Sequence, residues 1–236
     1  MSESLCLVIP IFNEQDTISR VVNEWLNLLT ISEIDFHIIL INDGSTDNSL
    51  EIINTIASRE ERIIIINQSN QGHGASIIEG YKKALYLETN WIFQCDADDQ
   101  IPISNFQLLW ESRNTSQLTI GFRQYRRDPL TRIIGSKVLN MLINLIFKKR
   151  IVDANCPFRI MSNKSLKSYI NTISLNQFAP NIFITIFISI KYSVNSIPVS
   201  HKERITGIAS LNIKRVLIAA LITLKDLFIF RLRINK

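Results

Sequence analysis

The chain has 236 residues, 46% of them hydrophobic and 20% charged, with seven Gly, six Pro and a formal charge of +5. That length suits one domain, or one domain with a small appendage, and can bury a full core without staples. The composition excludes a disordered, collagen-like or low-complexity protein.

Leu5 to Ile11 is a short apolar run closed by Asn13, which predicts a buried strand and then a loop. Glu14 to Leu29 carries apolar residues at 18, 21, 22, 25, 26, 28 and 29, which is helical spacing. Phe36 to Ile41 reads as a second buried strand and NDGSTD (42–47) as a turn, with Ser45 or Thr46 able to cap a helix running to about Ala57. Ile63 to Ile66 is a third strand, NQGHG (70–74) a loop and Ala75 to Leu87 a helix. Trp91 to Cys95 is a fourth strand that ends directly in DADDQ (96–100). A helix over Ile103–Trp110 and a strand over Leu118–Gly121 follow. The pattern then loosens. It predicts an amphipathic helix over 129–147, a short strand near Cys156–Met161, a helix near Pro180–Ile190, a strand near Val194–Val199 and a last helix from Asn212 to Phe230.

Short, wholly apolar strands alternating with amphipathic helices predict an α/β protein with a parallel sheet. In such sheets the ligand crevice lies beyond the carboxyl ends of the strands. Asn13-Glu14, Asn42-Asp43, Asn70–Gly74 and Asp96–Gln100 each follow a strand, so they are expected on one rim.

The charge is unevenly spread. Arg123–Arg150 holds eight basic residues and one acid, a net +7, and His201–Lys236 eight and two, a net +6, which leaves the rest of the chain at −8. An acidic body with two basic segments points to anionic partners, phosphates or a membrane surface. Both segments also carry apolar runs. In the second, the longest uncharged stretch is Val216–Leu224, short of the roughly 20 residues that span a bilayer. A buried core helix and a helix lying in the membrane interface both fit it. Basic residues interleaved with aliphatics rather than with stacking aromatics argue against a nucleic-acid binder, despite a pI near 9.2. Cysteines at 6, 95 and 156 form no close pair and no CxxC. That disfavours a disulfide framework or structural zinc site and makes a reducing compartment the default, with Cys95 and Cys156 as inert core thiols. The N-terminal MSESLCLVIPIFNE lacks a basic leader and does not read as a secretory signal.

Asp96, Asp98 and Asp99 crowd one strand end, and adjacent carboxylates repel unless a cation neutralises them. Hard divalent ions take one or two carboxylates plus substrate phosphates. A D-x-D alone is usually a solvated acidic turn; its place at a strand end, beside three other such clusters, makes it a metal–diphosphate site. NQGHG fits a phosphate cradle or an ordinary helix entry, and His73 a ligand or a hydrogen-bonded loop residue. It is neither a P-loop nor a dinucleotide fingerprint. Arg123, Arg126, Arg127, Arg132, Arg159, His201 and Arg204 all follow the main sheet pattern, where Arg suits bidentate phosphate recognition.

Taken together, VIPIFNE (8–14), LINDGSTD (40–47), NQGHGASIIEGYKKA (70–84) and QCDADDQ (94–100) resemble the signature series of family 2 glycosyltransferases. GFR (121–123), TRIIGSKVLN (131–140), DANCPFRIM (153–161) and IPVSHKERITGIASLN (197–212) narrow the likeness to dolichyl- or polyprenyl-phosphate sugar synthases. The resemblance implies a GT-A type nucleotide-sugar-binding fold: a mostly parallel central sheet flanked by helices, with C-terminal amphipathic helices. It implies a glycosyltransferase domain over 1–211 and a basic amphipathic membrane-interface element over 212–236. Pro10, Phe12, Glu14 and Asp43 are implied in the nucleotide pocket, with Asp43 on the base. Asp96, Ala97, Asp98 and Gln100 are implied at the donor diphosphate, with Asp96, Asp98 and Gln100 holding Mg²⁺ or Mn²⁺. Arg123 is implied at the donor phosphate, Arg132 and Ser136 at the acceptor phosphate, and Arg204 at either, with Lys214 a weaker candidate. Asp98, Arg123 and Arg204 form the implied catalytic set.

The implied reaction is inverting transfer of a hexose from a UDP- or GDP-sugar to a polyprenyl phosphate, at the cytoplasmic face of a membrane. Two other readings stay open: a saccharide or protein acceptor, which would need a general base for which the sequence offers no candidate, and a non-catalytic nucleotide-sugar-binding membrane protein. Three departures stand out. Asn42 replaces a frequent acid, Asn181 replaces another, and relatives often continue into transmembrane helices where this chain ends at Lys236. Either a membrane-spanning partner or the terminal helix would then supply the anchor.

Overall fold

The computed structural model describes residues 3–127, 129–172, 179–203 and 213–234, leaving out the side chains of 131–132 and 213–221. Four strands come first: β1 (Ser4–Ile11), β2 (Asp35–Asp43), β3 (Ile63–Gln68) and β4 (Trp91–Gln94). They are joined by α1 (Ile18–Ile31), α2 (Ser49–Ala57) and α3 (His73–Tyr86). After β4 a 3-10 turn (Ile103–Asn105) runs into α4 (Phe106–Ser112), then β5 (Leu118–Arg123) and α5 (Leu130–Phe147). β6 (Arg159–Ser162), α6 (Asn163–Thr172), α7 (Pro180–Lys191), β7 (Val194–Val199) and α8 (Ile213–Ile234) complete the chain.

Seven strands form one sheet in the order β3-β2-β1-β4-β6-β5-β7. All neighbours are parallel except β6, which runs antiparallel to both β4 and β5. The chain winds outward from β1 to β2 and β3, then returns to place β4 on the other side of β1. That reversal is a topological switch point, the crevice where α/β sheets bind ligands. The expected α/β, mostly parallel sheet is what the chain forms.

The strand cores explain the sheet's place. Leu5 to Ile9 of β1 and Ile38 to Ile41 of β2 are all fully buried, as strands covered on both faces must be. α3 lies so close to them that a Cβ on Gly80 would sit 2.5 Å from Val8 Cγ1 and 2.8 Å from Ile41 Cδ1. Trp25, Phe93, Phe106 and Phe158 knit the other face edge-to-face, with ring centroids 4.8–5.3 Å apart along the chain of contacts. α7 is buried on every side from Pro180 to Ser189, the expected fate of a helix apolar all round.

Two expectations need correction. Neither Ser45 nor Thr46 caps α2: the helix starts at Ser49, whose N–H donates to Asp47 Oδ1 at 3.0 Å, while Ser45 and Thr46 bind Asn13 instead. The sequence pattern also misses α6, because the segment is polar on average, with only Ser165, Leu166 and Tyr169 of its ten residues buried.

The C-terminal helix resolves part of an open choice. Phe230 packs edge-on against Phe147 of α5 and Phe183 of α7, at 6.2 and 5.2 Å, and Leu227 is fully buried. One face of α8 is therefore core, while Phe228, Ile229 and Leu232 remain exposed. No helix among the described residues is long and apolar enough to cross a membrane.

Cys6, Cys95 and Cys156 are all buried and unpaired. Burial pushes all three thiols up, Cys156 to about 12. Because the thiolate is the reactive form, iodoacetamide at pH 8 should leave the native protein unlabelled and modify three sites only after denaturation. Mass spectrometry before and after urea checks this; rapid native labelling would contradict the buried placement.

Candidate active site

The four polar clusters meet at the carboxyl ends of β1, β2, β3 and β4, as the alternation predicted. Sheet register sets this up: Ile11 pairs with Asn42, Asn42 with Asn67, and Val8 with Gln94. Side chains then stitch the loops together. The Asn13 N–H donates to Ser45 Oγ at 3.0 Å, and the Thr46 N–H to Asn13 Oδ1 at 2.8 Å. The Glu14 N–H donates to Ser49 Oγ at 2.9 Å. Thr17 Oγ1 donates across the switch point to the Ala97 carbonyl at 3.0 Å, and lies 3.2 Å from Glu14 Oε2. Pro10 is buried beneath this rim, and Phe12 stands 46% exposed above it.

Asp43 is 3% exposed and spends its carboxylate on the glycine loop. Oδ1 accepts from Gln68 Nε2 at 2.8 Å and from the Gln71 N–H at 2.9 Å, and Oδ2 from the Gly72 N–H at 2.9 Å. The Asn42 departure now has a reason. Its amide donates to Asn67 Oδ1 at 2.8 Å and accepts from the Ser45 N–H at 3.3 Å. A carboxylate there could not make the first bond.

The acids after β4 divide by their surroundings. Asp99, in a left-handed conformation (φ 54°), is paired with Arg20 at 2.9 Å and Lys202 at 3.2 Å. Asp98 Oδ1 accepts the Gln100 N–H at 3.1 Å. Asp96 Oδ1 is buried with no hydrogen-bond partner among the described residues; His73 Nε2 stands 3.6 Å from it. An orphaned carboxylate oxygen in a cleft fits a hard cation, which takes one or two carboxylates and completes its shell with phosphate and water. Among the described residues no group of three or more His, Cys, Asp or Glu forms a cage. The fit is thus to a cation shared with substrate. Gln100 ties this loop to the segment after β7: its carbonyl accepts the Lys202 N–H at 2.8 Å, and its Nε2 donates to the Lys202 carbonyl at 3.4 Å.

The basic residues also separate. Arg123, at the end of β5, makes a bidentate pair with Asp153 at 2.9 and 3.0 Å, both largely buried. The sequence reading assigned no role to Asp153; its signal was a lone acid between a basic apolar helix and an apolar strand. Arg159 is 0% exposed and structural. Its guanidinium donates to the carbonyls of Cys156, Ala154 and Asn181 and to Thr185 Oγ1, at 2.6–3.1 Å. Burial pulls its pKa down, but a guanidinium remains charged. His201 is buried and its Nδ1 accepts the Arg127 N–H at 3.3 Å.

On α5, Ser136, Asn140 and Asn144 recur every four residues and so share a face. Asn140 Oδ1 accepts the Ala154 N–H at 3.1 Å, and Asn144 makes two bonds to the Ile151 backbone at 2.8 and 2.9 Å. That face therefore looks onto the loop carrying Asp153, with half-buried Ser136 one turn before Asn140. The Arg132 and Lys214 side chains, and Arg204 entirely, lie outside the described residues.

Residues 6–171 match the model of glycosyl transferase family 2. The chain belongs to that family. Among curated proteins, the chain is 28% identical over 85% of its length to an undecaprenyl-phosphate 4-deoxy-4-formamido-L-arabinose transferase of Edwardsiella ictaluri. It is 30% identical over 69% of its length to a dolichyl-phosphate beta-glucosyltransferase of Trichomonas vaginalis. The chain spans 61% and 54% of those two relatives. Among solved structures it resembles glucosyl-3-phosphoglycerate synthase from Mycobacterium tuberculosis, in complex with Mn²⁺, UDP and glucosyl-3-phosphoglycerate. There the TM-score is 0.67 at 15% identity, covering 97% of this chain and 80% of that one. The shared architecture is the GT-A type.

Proposed function

We propose that this glycosyltransferase moves a sugar from a nucleoside diphosphate sugar to a polyprenyl phosphate at a membrane surface. The observation that carries the reading is the buried, unpartnered Asp96 oxygen in the D-x-D at the switch point, ringed by the loops after β1, β2 and β3. The two curated relatives, whose names specify undecaprenyl and dolichyl phosphate, support the acceptor class.

Pro10, Phe12, Glu14 and Asp43 form the nucleotide side of the cleft. Asp43 acts there at least through the glycine loop it holds. Asp96, Asp98 and Gln100 would hold Mg²⁺ or Mn²⁺, which when bound supplies positive charge against the departing nucleoside diphosphate. Arg123, held in place by Asp153, serves as a donor-phosphate contact. Ser136, Arg132 and Arg204 receive the acceptor phosphate. A phosphate is already anionic near neutral pH, so its attack needs no general base; positioning in line for inversion is the task left to the protein.

The outer face of α5 supports the lipid surface. Leu130, Ile134, Val138, Met141 and Leu145 follow one another at three- and four-residue spacing, and all are 46–75% exposed. They centre about a third of a turn away from the Ser136–Asn140–Asn144 face. Exposed Lys137, Lys148 and Arg150, with Arg231 and Arg233 on α8, flank the region. An apolar stripe turned outward with basic flanks suits an anionic bilayer interface. Phe228, Ile229 and Leu232 of α8 are exposed as well, so the described part of α8 serves as both core and interface.

The deciding assay offers UDP- and GDP-hexoses with either a polyprenyl phosphate or free saccharides. Transfer to the lipid phosphate alone is expected; transfer to saccharides alone would replace this reading. Liposome flotation tests the docking face. Met141→Asp removes a side chain whose burial contributes about 1.5–3 kcal/mol, so the membrane-binding constant should fall about tenfold or more. Unchanged flotation of Met141→Asp and Leu145→Asp would overturn the docking face. Truncating α8 would be a poorer test, because it uncovers Phe147 and Phe183.

A further inference from the structure

The loop before α3 is held from two sides. Asp43 takes the N–H groups of Gln71 and Gly72, each at 2.9 Å. Gly44, at φ +70°, backs onto Asn70 so closely that any Cβ there would lie 2.7 Å from the Asn70 nitrogen. A backbone restrained in this way fixes the residue that follows it, His73, the first of α3. Its side chain is 57% exposed, yet its Nε2 stands 3.6 Å from Asp96 Oδ1, the one carboxylate oxygen of the D-x-D loop that is buried without a hydrogen-bond partner. Stability does not account for this arrangement. The imidazole is not packed into the core, and an exposed ionic contact contributes little.

We propose that His73 is a donor-binding residue whose imidazole Nε2–H donates to a pyrophosphate oxygen of the nucleotide sugar, beside Asp96. The proposal rests on the nucleotide-sugar reading of the cleft and adds to it a side chain for the diphosphate. Three observations converge on it. The imidazole borders the oxygen that a shared cation would occupy, so a phosphate bridging that cation comes within its reach. An imidazole N–H donates in both its neutral and charged forms, and a hydrogen bond to a phosphate oxyanion is about twice as strong as a neutral one. The first turn of the 14-residue α3 carries no acid, so the helix N–H groups reinforce rather than oppose an anion there. The glycine loop then serves donor binding by presenting His73, not by wrapping the phosphates with backbone alone.

The test is calorimetric binding to the full chain with Mn²⁺ present, using UDP and GDP as probes and uridine and guanosine as controls that lack the diphosphate. His73→Ala should weaken the preferred nucleoside diphosphate about ten- to hundredfold and leave the matching nucleoside unchanged. His73→Gln keeps a donor near the Nε2 position and should return to within about threefold of wild type. Equal binding of the diphosphate by His73→Ala and wild type would overturn the proposal, as would equal losses for nucleoside and diphosphate. Failure of Gln to restore what Ala loses would overturn the hydrogen-bond assignment. If the wild type itself binds neither nucleoside diphosphate, the nucleotide-sugar reading fails, which is a different result from an unaffected variant.

Discussion

Asp98→Ala lowers sugar transfer by about a thousandfold or more, equivalent to about 4 kcal/mol of transition-state stabilisation, and leaves the fold intact. The loss follows from the leaving group. A nucleoside diphosphate departs with developing negative charge, and stabilising that charge is usually the largest single catalytic contribution. Under the proposed function, removing one of the two carboxylates that would hold the neutralising cation would remove most of it. The fold is spared because Asp98 is a half-buried loop residue beyond β4 and its hydrogen bond to the Gln100 N–H is local. One such bond is worth about 1 kcal/mol, or about 2–4 °C in a domain of this size. Asp99→Ala is the control. It removes a neighbouring acid whose partners are Arg20 and Lys202, so it should weaken transfer far less. Transfer rates of the two variants, with Mn²⁺ titrated, make the comparison. Full activity in Asp98→Ala would remove the D-x-D from the mechanism, and equal losses in both variants would mean that only the acidity of the loop matters.

Arg159→Ala destabilises the protein by about 3–5 kcal/mol, because it strips a buried charged group from several buried acceptors at once. The carbonyls of Ala154, Cys156 and Asn181 all lose donors inside the core. For this size of domain the melting temperature should drop by about 6–20 °C, measured by circular dichroism. Thr185→Val removes one hydroxyl from the same network and should cost only about 1 kcal/mol. The consequence reaches the site, because Arg159 pins the loop of residues 153–158 whose Asp153 holds Arg123. An unchanged melting temperature would mean that Arg159 does not hold that loop.

Much of this was legible along the chain. The wholly apolar runs of β1 and β2 announced strands buried on both faces, and the helical periodicity of α1 and α3 followed. Their alternation implied the parallel sheet, and the sheet implied the common rim. The polar cluster after each strand was therefore placed before any coordinates. The antiparallel β6 between β4 and β5 was not legible, because strand order depends on which edges are free after the first half folds. Nor was α6, whose segment is too polar to announce a buried helix. Ser45 and Thr46 looked like caps by residue type, but the β1 loop competes for them through Asn13.

Roles within residue types were harder still. Arg123 and Arg159 look alike in a sequence of basic residues; one meets a carboxylate at the rim, the other three carbonyls in the core. Asp96 and Asp99 look alike in DADDQ; one is left with an unpartnered oxygen, the other is taken by Arg20 and Lys202. The sequence by itself determined the layer architecture and the end of the sheet where chemistry belongs, since hydrophobic periodicity and turn chemistry are local properties of the chain. Only the tertiary structure decided which charges are consumed by the scaffold and which face the cleft. Burial and pairing depend on partners that lie tens of residues away in the chain and come within hydrogen-bond distance only after folding.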